Sequence, residues 1–206
     1  GLAILLWLQC VLKGRNEHIV EYITSSFIGH LQVFKKAYFK DRLIQNSYDP
    51  TVLKGLLGSV ESTQRVYLPS LISSGEQSLP VIFTGIDPTT EKNITKIPSQ
   101  VVAGSFLEAD PSSECASRQI LIGKPLAALL NVEVGAKIVI LAQASDGSLG
   151  NDLFRVKGIY ESSSPAFDKI NAFSLISCVQ RVGVIHGVHE TVLKLPPGIP
   201  ESSIQN

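Results

Sequence analysis

The stretch that decides the fold covers residues 119–160 and reads QILIGKPLAALLNVEVGAKIVILAQASDGSLGNDLFRVKGIY. Its hydrophobic pattern predicts three strands and one helix: strands 119–122, 137–142 and 153–160, and a helix at 125–130. Gly123 turns the first strand into the helix, and a Val134-Gly135 turn leads into the second strand. The segment uses Gly, Pro and β-branched residues for shape and carries no catalytic residue types. It therefore indicates a binding or mechanical module and not an enzyme.

The flanking sequence predicts further short elements of both kinds. Before the central segment these are a helix at 16–27, a strand at 30–34, a polar connection through Asp41, a helix at 51–60, and a hairpin of strands 65–72 and 79–86. After it come a flexible ESSSP stretch, a strand near 170–173, a helix at 175–181 and a last strand at 186–195. Short strands and helices that alternate in this way are typical of an α+β fold.

Composition excludes several classes of protein. The chain has 206 residues, with 18 basic and 18 acidic side chains and a formal net charge of zero. No basic stripe indicates a nucleic-acid partner, and no acidic run indicates a disordered tail. The length is sufficient for one large domain or two small ones.

The first twelve residues, GLAILLWLQCVL, are almost entirely apolar. A secretory signal would need a positive leader and a small-residue cleavage site, and a lipoprotein signal would need a small residue where Gln9 precedes Cys10. The end of a transmembrane helix, cut at its N-terminal side and continued by the helix at 16–27, fits the pattern best. A buried core helix remains the alternative, and the positive residues Lys13 and Arg15 argue against an extracytoplasmic exit.

Side chains that could carry chemistry form no recognisable site. Cys115 and Cys178 could bridge in an oxidising compartment, but separate half-buried thiols are the favoured interpretation. His186 and His189 are expected to be half-exposed residues of a strand, where positions three apart face opposite sides and cannot share a metal. No motif for a nucleophile elbow or a phosphate loop is present. The sequence therefore predicts no catalytic, cofactor-binding or metal-binding residues.

Three segments carry a family resemblance. They are residues 14–34 (GRNEHIVEYITSSFIGHLQVF), the central pair 122–141 and 154–168 (IGKPLAALLNVEVGAKIVIL and FRVKGIYESSSPAFD), and residues 176–195 (ISCVQRVGVIHGVHETVLKL). In this order and spacing they resemble the extracytoplasmic domain of ABC-transporter permeases of the MacB, LolC/LolE and FtsX type. The lipoprotein-releasing LolC/LolE permeases are the most similar of these.

The resemblance implies a two-lobed domain. It assigns residues 1–28 to the end of the first transmembrane helix and a helical stalk, and residues 29–100 to a Porter-like lobe. A Sabre-like lobe would be inserted at 101–184, and residues 185–206 would return to the Porter-like lobe.

The implied protein lies in a bacterial inner membrane with this domain in the periplasm. It would work with a cytoplasmic ATPase subunit and a second permease subunit, in lipoprotein release or export, and would contact a lipoprotein or a periplasmic partner protein. The alternative is an FtsX-like scaffold that regulates a cell-wall hydrolase. Neither reading makes this domain an enzyme or gives it a cofactor.

One segment departs from the family pattern. Permeases that recruit a periplasmic lipoprotein chaperone carry a long hairpin at the position of residues 143–152, which here is the short, proline-free QASDGSLGND. The resemblance therefore does not extend chaperone recruitment to this chain, and a LolE-like subunit or a relative with another substrate fits at least as well. The tip of the hairpin is still predicted to project and to contact a partner through Asp146, Leu149 and Asn151.

Overall fold

The computed structural model describes residues 31–57, 60–110 and 115–194, and these residues form an α+β fold. The strands are β1 (Leu31–Phe34), β2 (Glu61–Ser73), β3 (Ser78–Ile86), β4 (Val101–Gly104), β5 (Gln119–Gly123), β6 (Lys137–Gln143), β7 (Leu149–Tyr160), β8 (Asn171–Leu175) and β9 (Glu190–Lys194). The helices are α1 (Lys36–Asp41), α2 (Thr51–Leu57), α3 (Pro88–Ile94), α4 (Lys124–Leu130), α5 (Pro165–Ile170) and α6 (Ile176–Gly183).

The central segment has the predicted order of strand, helix and two strands, here β5, α4, β6 and β7. Strand β7 begins at Leu149 and not at residue 153, because its first residues already pair with β6, with Asn151 opposite Leu141. Asp49 and Asp87 begin the helices α2 and α3, and each accepts a hydrogen bond from the backbone N–H two residues later, at 2.9 Å.

One predicted connection is a helix, and another leads into a helix that the sequence pattern did not predict. The polar connection through Asp41 is the helix α1, which forms because Tyr38 buries its ring while the lysines around it face solvent. The ESSSP stretch leads directly into α5, where the Ser164 side chain accepts a hydrogen bond from the backbone of Phe167. The predicted helix at 16–27, His30 and the membrane-helix end at 1–28 lie outside the described residues.

Strand β6 pairs with both β2 and β7, and this double pairing closes part of the sheet. The path β2-β3-β8-β5-β7-β6 returns to β2 and makes a six-stranded barrel. Inward-facing side chains alternate along each strand and are almost fully buried, among them Leu68, Ile72, Phe83, Ile120, Ile122, Ile138, Ile140, Phe154 and Val156. The barrel is therefore a packed core and not a channel.

Helix α6 lies across one end of the barrel, where it contacts β2, β3, β6, β7 and β8. The approach is close at Gly85 of β3, because a Cβ atom there would stand 2.9 Å from the Cα atom of Ile176 and 3.1 Å from Val179. Only glycine leaves room for the helix at this point. The helix thus joins the strands at that end of the barrel into one packed body.

Strands β9 and β1 extend the sheet beyond the barrel, in what we call the β1–β9 extension. Strand β9 pairs with the first residues of β2 on one side and with β1 on the other, with Leu193 opposite both Ser62 and Leu31. The last strand therefore pairs with strands from before residue 100. The lobe boundaries near residues 100 and 185 stay a prediction.

No helix in the described part of the chain is long and apolar enough to cross a membrane.

The two described cysteines form a disulfide. Cys115, in the loop after β4, is bonded to Cys178 of α6, and both side chains are fully buried. The expectation of separate thiols was wrong, because the sequence does not show that α6 folds back over this loop. The bond ties the loop to the helix that covers the barrel.

Removing this bond should destabilise the protein strongly. The loop that it closes is 63 residues long, for which the chain-entropy relation gives roughly 4 kcal/mol. We expect Cys115→Ala/Cys178→Ala to lower the free energy of unfolding by about that amount in urea titrations. Reductant should lower the stability of the native chain in the same way and leave the double variant unchanged. An unchanged urea midpoint for both would contradict the prediction.

Candidate functional site

The most unusual polar feature is a buried cluster where the β1–β9 extension meets the barrel. We call Arg65, Glu91 and Glu190 the ion network; they come from β2, α3 and β9, and all three are fully buried. A guanidinium nitrogen of Arg65 lies 2.7 Å from Oε1 of Glu91, while another lies 3.7 Å from Oε2 of Glu190. Three separate elements therefore meet at one arginine.

Polar neighbours complete the network unevenly. The hydroxyls of Thr63 and Thr95 each lie 3.1 Å from a carboxylate oxygen of Glu91. Glu190 accepts a short hydrogen bond from the Tyr67 hydroxyl through Oε2, but its Oε1 has no hydrogen-bond partner among the described residues. Burial alone would lower the pKa of Arg65, but the nearby carboxylates outweigh it and raise the pKa. Arg65 is therefore a permanent cation.

His189 fastens the extension to the barrel beside this network. Its Nδ1 accepts a hydrogen bond from the Tyr67 backbone N–H, and its Nε2 donates to the carbonyl oxygen of Ile44, both at 2.9 Å. The ring also stacks on Tyr38, with centroids 4.5 Å apart. Burial lowers the pKa of His189, so the ring is neutral in this tautomer.

The prediction of two half-exposed strand histidines was therefore wrong. His189 is fully buried, His186 is exposed, and neither lies in a strand. The described residues contain no cluster of three or more His, Cys, Asp or Glu side chains that could hold a metal ion.

A second candidate surface lies on the outside of the barrel. We call Leu71, Leu141, Leu149 and Leu153 the leucine face; they belong to β2, β6 and β7. Leu71 is opposite Leu141 in the β2–β6 pair, and side chains at such positions point to the same side of a sheet. Leu149 is 71% exposed, Leu71 48% and Leu153 43%. Neighbouring exposed leucines of this kind form the sort of apolar surface that marks contact sites.

The three predicted partner-binding residues lie at one edge of this face, but they differ in role. Leu149 and Asn151 are exposed residues of β7. The Asp146 carboxylate accepts hydrogen bonds from the backbone N–H and the hydroxyl of Ser148, at 2.9 and 2.6 Å. These bonds lower the pKa of Asp146 and show that its carboxylate shapes the turn.

The tip residues 146–149 are exposed, while residues on either side of them hold the hairpin against α6. The Ser145 N–H donates to the carbonyl of Gly183 at 2.8 Å, and its hydroxyl donates to the carbonyl of Val184. Asp152 of β7 forms an ion pair with Arg181 of α6 at 3.0 Å. Leu71, Leu141 and Leu153 were not predicted as contacts. Leucine at positions 149 and 153, an even number of residues apart in one strand, was a visible signal that both lie on the outer side of β7.

The described residues also line a cleft of about 330 Å³ at the carboxyl ends of the parallel strands β3 and β8. Asp87, Asp110, Ser177 and Gln180 supply its polar groups. Asp87 caps α3, and Asp110 accepts a hydrogen bond from the Ser117 backbone at 2.9 Å, so both carboxylates already serve the fold.

Comparison with known proteins finds sequence relatives among lipoprotein-releasing proteins. The chain is 30% identical over 126 residues to LolC, the lipoprotein-releasing system transmembrane protein of Xylella fastidiosa (strain 9a5c); this covers 59% of the chain and 30% of LolC. LolC of strain Temecula1 / ATCC 700964 is 29% identical over the same length. The chain thus spans about 30% of the length of these relatives. No protein-family model matches it.

Solved structures share the fold at low sequence identity. The periplasmic region of MacB from Actinobacillus actinomycetemcomitans matches with a TM-score of 0.55 and 13% identity, over 84% of this chain and 77% of that one. The extracellular domain of the noncanonic ABC-type transporter YknZ from Gram-positive bacteria matches with a TM-score of 0.56 and 12% identity, over 81% and 83%. The predicted resemblance to such permease domains and the predicted α+β, two-lobed fold class are confirmed.

The exposure of Leu149 gives a first test of the leucine face. We expect Leu149→Asp to change the free energy of unfolding by no more than about 0.5 kcal/mol, because the side chain is largely exposed to solvent and packs little against the core. Urea titration of the full chain measures this. A loss of more than about 2 kcal/mol, the range of core substitutions, would show that Leu149 is a packing residue.

Proposed function

We propose that this chain is the extracytoplasmic domain of an ABC-transporter permease subunit in a bacterial inner membrane. It would couple ATP hydrolysis by a cytoplasmic subunit to movement outside the membrane, in lipoprotein release or export. A second permease subunit would complete the assembly. Similarity to LolC over 126 residues and the shared fold with the MacB and YknZ domains support this proposal.

The proposal rests mainly on one observation: the first and the last described strands, β1 and β9, are neighbours in the sheet. Strand β1 begins at Leu31, which pairs with Leu193, one residue before the end of β9. The first and last described residues of this part of the chain therefore lie side by side, at one end of one antiparallel pair. If they lead to two membrane helices, any movement of those helices acts directly on the β1–β9 extension.

The extension passes such movement to the barrel through β2. This strand is 13 residues long and pairs with β9 at its start and with β6 near its end. Arg65 adds side-chain contacts to α3 and β9 at the point where the two parts meet. Continuous pairing and buried charges resist sliding, so the barrel should follow the extension as one body.

The disulfide supports the proposed location. Disulfides persist in oxidising compartments such as the bacterial periplasm and are rare in the cytosol. Cys115–Cys178 is fully buried, and it ties a loop to the helix that covers the barrel. A structural bond of this kind fits a domain that folds outside the cytoplasm.

The leucine face is the surface we assign to the transported lipoprotein or a periplasmic partner protein. Leu149 is its most exposed member, and the hairpin that carries it is anchored on α6. An anchored apolar surface presents a contact site without the entropic cost of ordering a loose loop. Asn151 lies on the same outer side of β7, where its side chain adds a polar contact.

We expect Leu149→Asp, in the full-length transporter reconstituted with its ATPase, to reduce lipoprotein release several-fold while ATP hydrolysis continues. The matched control is Leu129→Asp, an exposed leucine of α4 that is not part of the leucine face. If both variants and the native protein release lipoprotein equally well, the leucine face is not a contact site for transport.

Depletion of the full-length protein tests the transport role itself. Lipoproteins should then remain in the inner membrane fraction. Normal lipoprotein sorting combined with chains of undivided cells would instead favour the FtsX-like alternative, a scaffold that regulates a cell-wall hydrolase.

A further inference from the structure

The ion network contains two carboxylates and one guanidinium, all fully buried. Glu91 engages Arg65 with both oxygens, at 2.7 and 3.5 Å, and also receives two threonine hydroxyls. Glu190 lies 3.7 Å from Arg65, beyond hydrogen-bond distance. Arg65 therefore neutralises Glu91 first, and a second ionised carboxylate would leave a net negative charge in the protein interior.

The other groups that face Glu190 offset this imbalance only in part. From β2, the Tyr67 hydroxyl bonds to Oε2 beside Arg65, and from α3 the like-charged Glu91 repels an ionised Glu190. The rings of Tyr38 and Tyr48 and the cation of Arg42 face Glu190 from the side of α1. Arg42 is an exposed residue whose guanidinium lies 5.1 to 5.7 Å from three ring centroids. Its charge lowers the pKa of Glu190, but this is the smallest of the effects on that group. His189, the preceding residue, has both nitrogens engaged and is neutral.

We infer that Glu190 is a proton-binding site that controls how firmly the β1–β9 extension is held on the barrel. Glu190 is the first residue of β9, where it pairs with Arg65 of β2 and with Phe34 of β1. With its proton bound, the carboxyl of Glu190 is neutral, and the ion network then contains one positive and one negative charge, on Arg65 and Glu91. When the proton leaves, a second negative charge is buried where three elements meet, and the one buried cation, Arg65, already pairs with Glu91.

The direction of the pKa agrees with this geometry. Burial raises the pKa of Glu190 above its ordinary value of 4.5, against the opposing effects of Arg65 and the Tyr67 hydroxyl. A carboxyl whose pKa is higher in the folded than in the unfolded protein stabilises the fold fully below the unfolded value. That stability is then lost as the pH rises through the folded value.

Urea unfolding of the full chain as a function of pH tests the site. Glu190→Gln replaces the carboxyl by a neutral group of the same shape and cannot titrate. We expect the urea midpoints of this variant and of the native chain to coincide at about pH 3, more than one pH unit below the ordinary glutamate pKa, where Glu190 is protonated in both the folded and the unfolded chain. At pH 8 the variant should have the higher midpoint. A lower midpoint at pH 8, or a difference that does not change with pH, would overturn the proposal.

Glu91→Gln is the matched control, because it is the same substitution in the same network at the carboxylate that Arg65 does pair with. It should lower the midpoint at pH 8, the opposite sign. Should Glu190→Gln fail to fold, the side-chain carboxyl carbon of Glu190 can be titrated by NMR in the native chain. A midpoint above 4.5 is expected, and one at or below that value would overturn the proposal. The result does not depend on the transport role.

Discussion

Strand β2 is the constraint on which the rest of the structure depends, because it belongs to the barrel and to the extension at once. Its first residues pair with β9, its last with β6, and from Arg65 onward it also pairs with β3. A strand paired in this way cannot shift by one residue without moving its buried side chains, such as Leu68 and Ile72, to the opposite face. The register of β2 therefore fixes the barrel and the extension together.

The ion network and His189 select this packing of the extension on the barrel more than they stabilise it. Buried ion pairs cost several kcal/mol of desolvation per ion, so their net contribution to folding is small. Their geometry is demanding, however, since Arg65 has to meet Glu91 of α3 while His189 of the extension meets the Tyr67 backbone. Such an arrangement disfavours alternative packings, because they would leave charges unpaired. Protonation of Glu190 would change how firmly the β1–β9 extension is held on the barrel.

Local pattern was enough to predict β5, α4, β6 and β7, because alternating apolar residues and turn glycines act over a few positions. It could not predict the closure of the barrel, which depends on β6 meeting β2 more than sixty residues earlier in the chain. The same limit hid the Cys115–Cys178 bond and the buried position of His189, whose partners come from distant segments. Leu149 was found as a candidate contact, whereas Leu71 was missed because only the β2–β6 pairing brings it to that face.

The central claim is that this domain lies outside the cytoplasm, and the turn between β2 and β3 offers the most direct measurement. Glu76 is exposed in that turn, and both described cysteines are held in the disulfide. A Glu76→Cys variant in a Cys10→Ser background therefore presents a single reactive thiol within residues 1–206, and the same background with Glu76 retained is the control for labelling elsewhere. The account predicts that a membrane-impermeant maleimide labels the full-length protein in cells whose outer membrane alone has been permeabilised. Labelling only after the inner membrane is disrupted would contradict it.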